Sequence, residues 1–130
     1  MNDTLECWNR DSAAARAFAE EIKSVLKAHA RGDRSNAMLQ DVKALCICIL
    51  HTIRDPYCQE KICEVAIQAD AMWGRSSTPL NSIFLRRLML KSLEAFDDRL
   101  ASLETTRQHD HGAPGISAAA PVSLKGRVPA

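Results

Sequence analysis

The sequence predicts an all-α fold, a bundle-like domain of four helices followed by a disordered C-terminal tail. Apolar residues recur every three or four positions in four separate segments, which is the period of amphipathic helices. Capping residues, prolines and glycines stand where one segment ends and the next begins. A chain of 130 residues, 46% of them hydrophobic, suits one domain with an ordinary core.

The first helix is predicted over residues 12–31. Asp11 or Ser12 can cap its start, and Gly32 stands just past its last turn, where glycine is preferred. One apolar stripe runs along the segment at helical spacing: Ala14, Phe18, Ile22, Val25, Leu26 and His29. This helix is therefore expected to bury one face.

The second helix is predicted over residues 36–54, with Ser35 as its N-cap. Its broad apolar face comprises Met38, Leu39, Val42, Leu45, Cys46, Ile49, Leu50 and Ile53. Between Ala44 and Leu50 the segment is apolar on every side, which indicates the most buried element of the fold. The same run could form a strand, but the helical periodicity on both sides of it favours a helix.

The third helix is predicted over residues 56–73. Asp55-Pro56 separates it from the second helix, because proline disfavours helical geometry in the residue before it but suits the first helical position. Its apolar face comprises Cys58, Ile62, Val65, Ala66, Ala69, Met72 and Trp73, and Gly74 closes it. The joint is so short that the second and third helices could form either a hairpin or a bent pair.

The fourth helix is predicted over residues 79–107, starting at Thr78-Pro79, and would be roughly 43 Å long. Its main apolar stripe comprises Leu85, Met89, Leu93, Phe96, Leu100 and Leu103. From residue 108 to residue 130 the chain is rich in Gly, Pro, Ala and Ser and poor in large apolar residues. That composition predicts a disordered tail.

Charge and hydropathy exclude several classes of protein. Seventeen basic and sixteen acidic residues leave a formal charge of +1, and the small basic cluster of Arg75, Arg86, Arg87 and Lys91 is followed at once by acids. A solvated helix face is therefore expected there, and nucleic acid is not an expected partner. No apolar run approaches the roughly 18 residues of a membrane span, and the N-terminus lacks a secretory pattern. A cytoplasmic protein is predicted, and the frequent alanine and arginine suggest a bacterial source.

Five cysteines are present, an odd number that argues against a disulfide-stapled secreted domain. Cys48 and His51 are three residues apart on the second helix, and Cys58 and Cys63 follow the Asp55-Pro56 joint. Thiolate and imidazole are ligands that zinc prefers, so these four residues are a candidate metal site or redox sensor. Buried thiols behaving as small hydrophobes, with a surface histidine, are the favoured interpretation.

No catalytic motif is present. The chain lacks a Gly-rich phosphate loop, H-E-x-x-H and G-x-S-x-G, and its acidic residues fall on polar helix faces. His29 interrupts an apolar stripe, but a hydrogen-bonded histidine near a helix C-terminus explains it. We therefore expect neither enzymatic activity nor a cofactor.

The fourth helix carries more apolar faces than a bundle core needs. Leu80, Phe84 and Leu88 form a second stripe, and Ile83 with Leu90 forms a third. A surplus face implies a protein partner or a second copy of the chain, unless this helix is the central one of a compact monomer. The predicted interface comprises Leu85, Arg86, Arg87, Leu88, Met89 and Leu90.

Overall fold

A computed structural model describes residues 2–33, 35, 37–74 and 77–112, and the side chains of residues 7–33, 35, 37–74 and 77–106. It has four helices, α1 Asn2–Ala30, α2 Ala37–Thr52, α3 Pro56–Met72 and α4 Pro79–Gly112. No strand occurs within these ranges, so the predicted all-α fold with four helices is confirmed. The chain divides into two units, residues 1–100 and 101–130.

Local hydrogen bonds explain where the helices end and begin. After α1, the Gly32 amide donates to the His29 carbonyl and the Asp33 amide to the Ala28 carbonyl, both at 3.1 Å. This pattern is a Schellman motif, and it requires a positive φ, which is 107° at Gly32. The glycine therefore ends α1 as its position in the sequence predicts.

The Asp55-Pro56 joint is confirmed as the start of α3. Asp55 is the N-cap, accepting a hydrogen bond from the Cys58 amide at 3.1 Å, and the proline stands in the first turn. Lys43 of α2 pairs with Asp70 of α3 at 3.1 Å, so residues distant in sequence meet across the two helices. The two helices thus form a hairpin rather than a bent pair.

Two predicted boundaries are wrong. α1 begins at Asn2, ten residues before the predicted start, and Ser12 is buried inside it. No glycine or proline interrupts the helix there, and a capping residue only permits a start. α4 extends to Gly112, five residues past its predicted end. The remainder of the predicted tail, residues 113–130, lies outside the described residues.

The first unit has one core to which all four helices contribute. Its fully buried large side chains include Ile22, Val42, Ile62 and Phe96, one from each helix. α2 approaches α1 and α3 most closely. α4 is joined to α1 by the ion pair of Lys23 with Asp97 (2.6 Å between Nζ and Oδ2), and to α3 by the hydrogen bond from Ser92 to Glu64 (3.0 Å). Each helix thus has two neighbours, as in an antiparallel four-helix bundle.

The prediction that α2 is the most buried element is wrong, because α2 has four buried residues and α3 has five. Ile47 is 54% exposed, and Ala44 and Cys48 are exposed as well. α2 turns one face to the core between α1 and α3, and Ile47 lies nearly opposite that face on the helix. No described helix is long and apolar enough to cross a membrane.

Candidate interaction surface

Four apolar side chains stand exposed on the first half of α4, and we call them the α4 outer face. Leu80 is 75% exposed, Phe84 60%, Ile83 41% and Leu90 38%. At about 100° per residue they fall within a sector of about 120°. Elsewhere on the described surface, the exposed large apolar side chains are scattered over α2 and α3: Ile47, Tyr57 and Ile67.

The α4 outer face lies nearly opposite the face that α4 turns to the core. Met89, Leu93, Phe96 and Leu100 are fully buried and occupy a narrow stripe at spacings of three and four residues. Their complete burial assigns this stripe to the core of the first unit. Of the second and third apolar stripes only Leu88 is half-buried, and the other four side chains are exposed, so α4 does not occupy the centre of the bundle.

The six residues of the predicted interface divide between the surface and the core. Arg87 and Leu90 are exposed, whereas Leu85, Arg86 and Leu88 are half-buried. Met89 is fully buried, so its assignment to an interface is wrong; it precedes Leu93 by four residues and shares the core stripe.

Three residues of the α4 outer face, Leu80, Ile83 and Phe84, are absent from that predicted interface. Their spacing of three and four residues was the signal that could have found them. Periodicity does not show which of several apolar stripes meets the core.

Arg86 is engaged inside the fold. Its Nη1 lies 3.1 Å from Nδ1 of His29, which is 3% exposed at the end of α1. The His29 ring packs edge-on against Trp73, with 5.1 Å between ring centroids. Because a guanidinium can only donate, Nδ1 of His29 accepts this hydrogen bond. Arg86 thus holds the start of α4 against the ends of α1 and α3.

Among the described residues of the basic cluster, Arg87 and Lys91 are unpaired, and Arg75 lies outside the described residues. Both Arg87 and Lys91 are exposed, and neither forms an ion pair within the described part of the chain. On the helix they lie along the middle of the α4 outer face, one turn and two turns after Phe84. The surface therefore combines exposed apolar side chains with two available positive charges.

An open groove of about 590 Å³ lies between α3 and α4, beside this surface. Lys61, Glu64, Gln68, Leu88, Lys91, Ser92, Glu94, Ala95 and Asp98 line it. The Glu64 carboxylate in this groove is engaged within the fold, because it forms an ion pair with Lys61 at 3.4 Å and accepts a hydrogen bond from Ser92. A second groove of about 400 Å³ lies between α1 and α2.

The largest shifts in the fold move the pKa values of side chains further from pH 7. The Arg99 guanidinium lowers the pKa of Asp55 to about 2, and burial raises the pKa of Cys46 and Cys58 to about 12. General acid–base catalysis works best with a pKa near the working pH. None of these three groups is therefore poised for proton transfer at neutral pH.

The candidate metal ligands are not brought together. Cys58 is buried, whereas Cys48, His51 and Cys63 are exposed. Cys48 is five residues after Lys43, which pairs with α3, so it points about 140° away from the side of α2 that meets α3 and Cys63. The described residues contain no group of three His, Cys, Asp or Glu side chains that could hold a metal ion.

The fold and this surface define a class of protein, an all-α bundle with an exposed apolar helix face. Comparison of the chain with protein-family models, curated proteins and solved structures gives no match.

Proposed function

We propose that this chain is a small, non-enzymatic, cytoplasmic helical protein that acts as a regulator or adaptor by binding another protein, or a second copy of itself, through the α4 outer face. The observation that carries this proposal is the clustering of Leu80, Ile83, Phe84 and Leu90 within one sector of one helix. Scattered apolar residues are normal on a protein surface, but a contiguous patch marks an interaction site.

The size of the patch supports a reversible interaction. With side-chain areas of about 150–250 Å², the exposed fractions add up to on the order of 400 Å² of apolar surface. Burying it contributes roughly 10 kcal/mol before the costs of association, which are about 4–15 kcal/mol. A stable interface buries about 800 Å² on each partner, so these four side chains supply about half of one.

The described carboxylates of the α3–α4 groove are paired or exposed, which supports a binding role. Glu64 is tied to Lys61 and Ser92, and the acids at the rim of the neighbouring groove, Glu94 and Asp98, are exposed to solvent. An active site needs desolvated groups with a tuned pKa. The α3–α4 groove offers no such environment.

The test is site-specific crosslinking from position 84. A photo-crosslinking amino acid replaces Phe84 in the full chain inside its native cells, and a matched variant carries it at Ile67, which is 68% exposed on α3. We expect a discrete covalent adduct from position 84 and none from position 67. Leu80→Glu should abolish that adduct while leaving the melting temperature unchanged, because Leu80 lies outside the core.

Mass spectrometry of the adduct distinguishes a different protein from a second copy of the chain. Identical adducts from positions 84 and 67, or no adduct from position 84, would refute the proposed function.

A further inference from the structure

We propose that the partner of the α4 outer face is an amphipathic helix of another protein whose binding face is apolar at one end and acidic at the other. This inference rests on the proposed function and deepens it by specifying the chemistry of the partner. Three observations support it. Apolar and basic residues follow one another in a fixed order along α4, and the positive charges of Arg87 and Lys91 are unpaired. Pairing of α4 with α4 of a second copy matches this order poorly.

The charges on the first half of α4 have one sign. Between Pro79 and Leu93 the charged residues are Arg86, Arg87 and Lys91, and the first acidic residue is Glu94. Arg86 is engaged with His29, which leaves Arg87 and Lys91 available for a partner.

The available charges lie on the same line as the apolar residues. Phe84, Arg87 and Lys91 follow one another at three and four residues, so each lies about one turn from the next. The α4 outer face is thus apolar at its N-terminal end, and at its C-terminal end Arg87 and Lys91 flank Leu90. A helix lying along it would place apolar residues on Leu80 and Phe84, and carboxylates one to two turns away on Arg87 and Lys91.

Pairing of α4 with α4 of a second copy does not satisfy that pattern. A parallel α4–α4 pair places Arg87 opposite Arg87, and like charges in close contact are unfavourable. An antiparallel pair crossing at Phe84 places Arg87 near residue 81 of the other copy. At that position Arg87 lies near the N-terminus of the other copy's α4, where the helix dipole is positive, and not near an acidic side chain.

Shifting an antiparallel pair until Arg87 meets Glu94 or Asp98 moves Leu80 and Phe84 away from each other's apolar surface. Each α4–α4 arrangement of two copies therefore fails to match either the charges or the apolar residues. An acidic amphipathic helix matches both, since its apolar anchors and carboxylates can follow the order found on α4.

The test uses two helix-forming peptides of the same length with identical leucine anchors. One carries two glutamates a turn apart beyond the anchors, and the other carries two lysines at those positions. Binding of each labelled peptide to the full chain is measured by fluorescence anisotropy at low and at moderate salt. We expect the glutamate peptide to bind about tenfold more tightly, with the difference decreasing as salt screens the charges.

Variants of the full chain locate the effect. The double change Arg87→Glu with Lys91→Glu should reverse the preference, and Phe84→Glu should abolish binding of both peptides. The matched control changes two exposed basic residues elsewhere, Lys27→Glu with Arg54→Glu, and alters the net charge by the same amount. It should leave the preference unchanged.

Each other outcome overturns the inference. Equal binding of the two peptides, no binding of either, or equal loss of preference in the Lys27/Arg54 control would show that Arg87 and Lys91 do not select an acidic helix. A dimer in native mass spectrometry that Phe84→Glu dissociates would identify a second copy as the occupant. Crosslinking from position 84 is independent of charge, so the proposed function stands or fails separately.

Discussion

The pair formed by Asp55 and Arg99 leads to a prediction about stability and pH. Arg99 Nε and Nη2 each lie 3.0 Å from a carboxylate oxygen of Asp55, whose side chain is 12% exposed. The same carboxylate caps α3 through the Cys58 amide. These contacts with the charged form lower the pKa of Asp55 from 3.8 to about 2, with the Arg99 hydrogen bonds as the largest cause.

A lowered pKa means that the ionised carboxylate stabilises the folded state. Its contribution is fully present above the unfolded-state pKa of 3.8 and is lost as the pH falls through about 2. Without solvent screening, this lowering of the Asp55 pKa corresponds to about 2 kcal/mol of unfolding free energy. Because Arg99 is partly exposed to water, which screens the pair, we reduce the expected contribution to about 1 kcal/mol.

Asp55→Asn isolates this charge, because asparagine is also a good N-cap. We expect the variant to lose about 1 kcal/mol of unfolding free energy at pH 7, and the difference from the wild type to shrink towards zero by pH 2. Urea denaturation followed by far-UV circular dichroism, repeated between pH 7 and pH 2, measures it. A direct NMR titration of the Asp55 carboxyl supplies the folded-state pKa where the protein is too unstable for the urea experiment.

The control for this experiment is Asp70→Asn, because the pair of Asp70 with Lys43 is solvent-exposed. It should change stability by less than about 0.5 kcal/mol at every pH. If the loss in Asp55→Asn is the same at pH 7 and at pH 2, the ion pair contributes nothing and the reasoning from the Arg99 contacts is wrong.

Three further predictions concern the core, a helix end and the thiols. Phe96→Ala should lower the unfolding free energy by about 3–5 kcal/mol, whereas Phe84→Ala should change it by less than about 0.5 kcal/mol; similar urea midpoints would contradict the assigned faces of α4. Gly32→Ala should cost about 1 kcal/mol in the same assay, because its φ of 107° is unfavourable for alanine, and an unchanged midpoint would refute the Schellman end. Native thiol labelling, counted by mass spectrometry, should modify the three exposed cysteines, Cys7, Cys48 and Cys63. Cys46 and Cys58 should react only after unfolding, and five rapid adducts in the native state would contradict their burial.

Sequence patterns predicted best the features that arise from contacts between neighbouring residues. Gly32 ends α1 because its own backbone adopts a positive φ, and Asp55-Pro56 starts α3 through hydrogen bonding within one turn. Such interactions depend on a few adjacent residues, so their residue types are informative. The start of α1 was mispredicted for the same reason, since Ser12 can cap a helix but does not force one to begin.

The candidate surface was only partly predictable. The periodicity of α4 predicts a surplus of apolar faces, but the predicted interface includes the buried Met89 and omits the exposed Phe84. Leu80, Phe84 and Leu88 repeat at the same helical period as Met89, Leu93 and Phe96. Periodicity describes the angle between stripes on one helix and not their orientation towards other helices.

The sequence by itself determined the fold class, the number of helices and the joints between them, because helical period and capping are local properties of the chain. Only the tertiary structure decided which stripe of α4 enters the core, why Ile47 stays exposed, and that Cys58 is buried while Cys48 and Cys63 are exposed. Those outcomes depend on which helices become neighbours. The ion pairs of Lys23 with Asp97 and of Asp55 with Arg99 join residues far apart in the sequence, and they show which helices are neighbours.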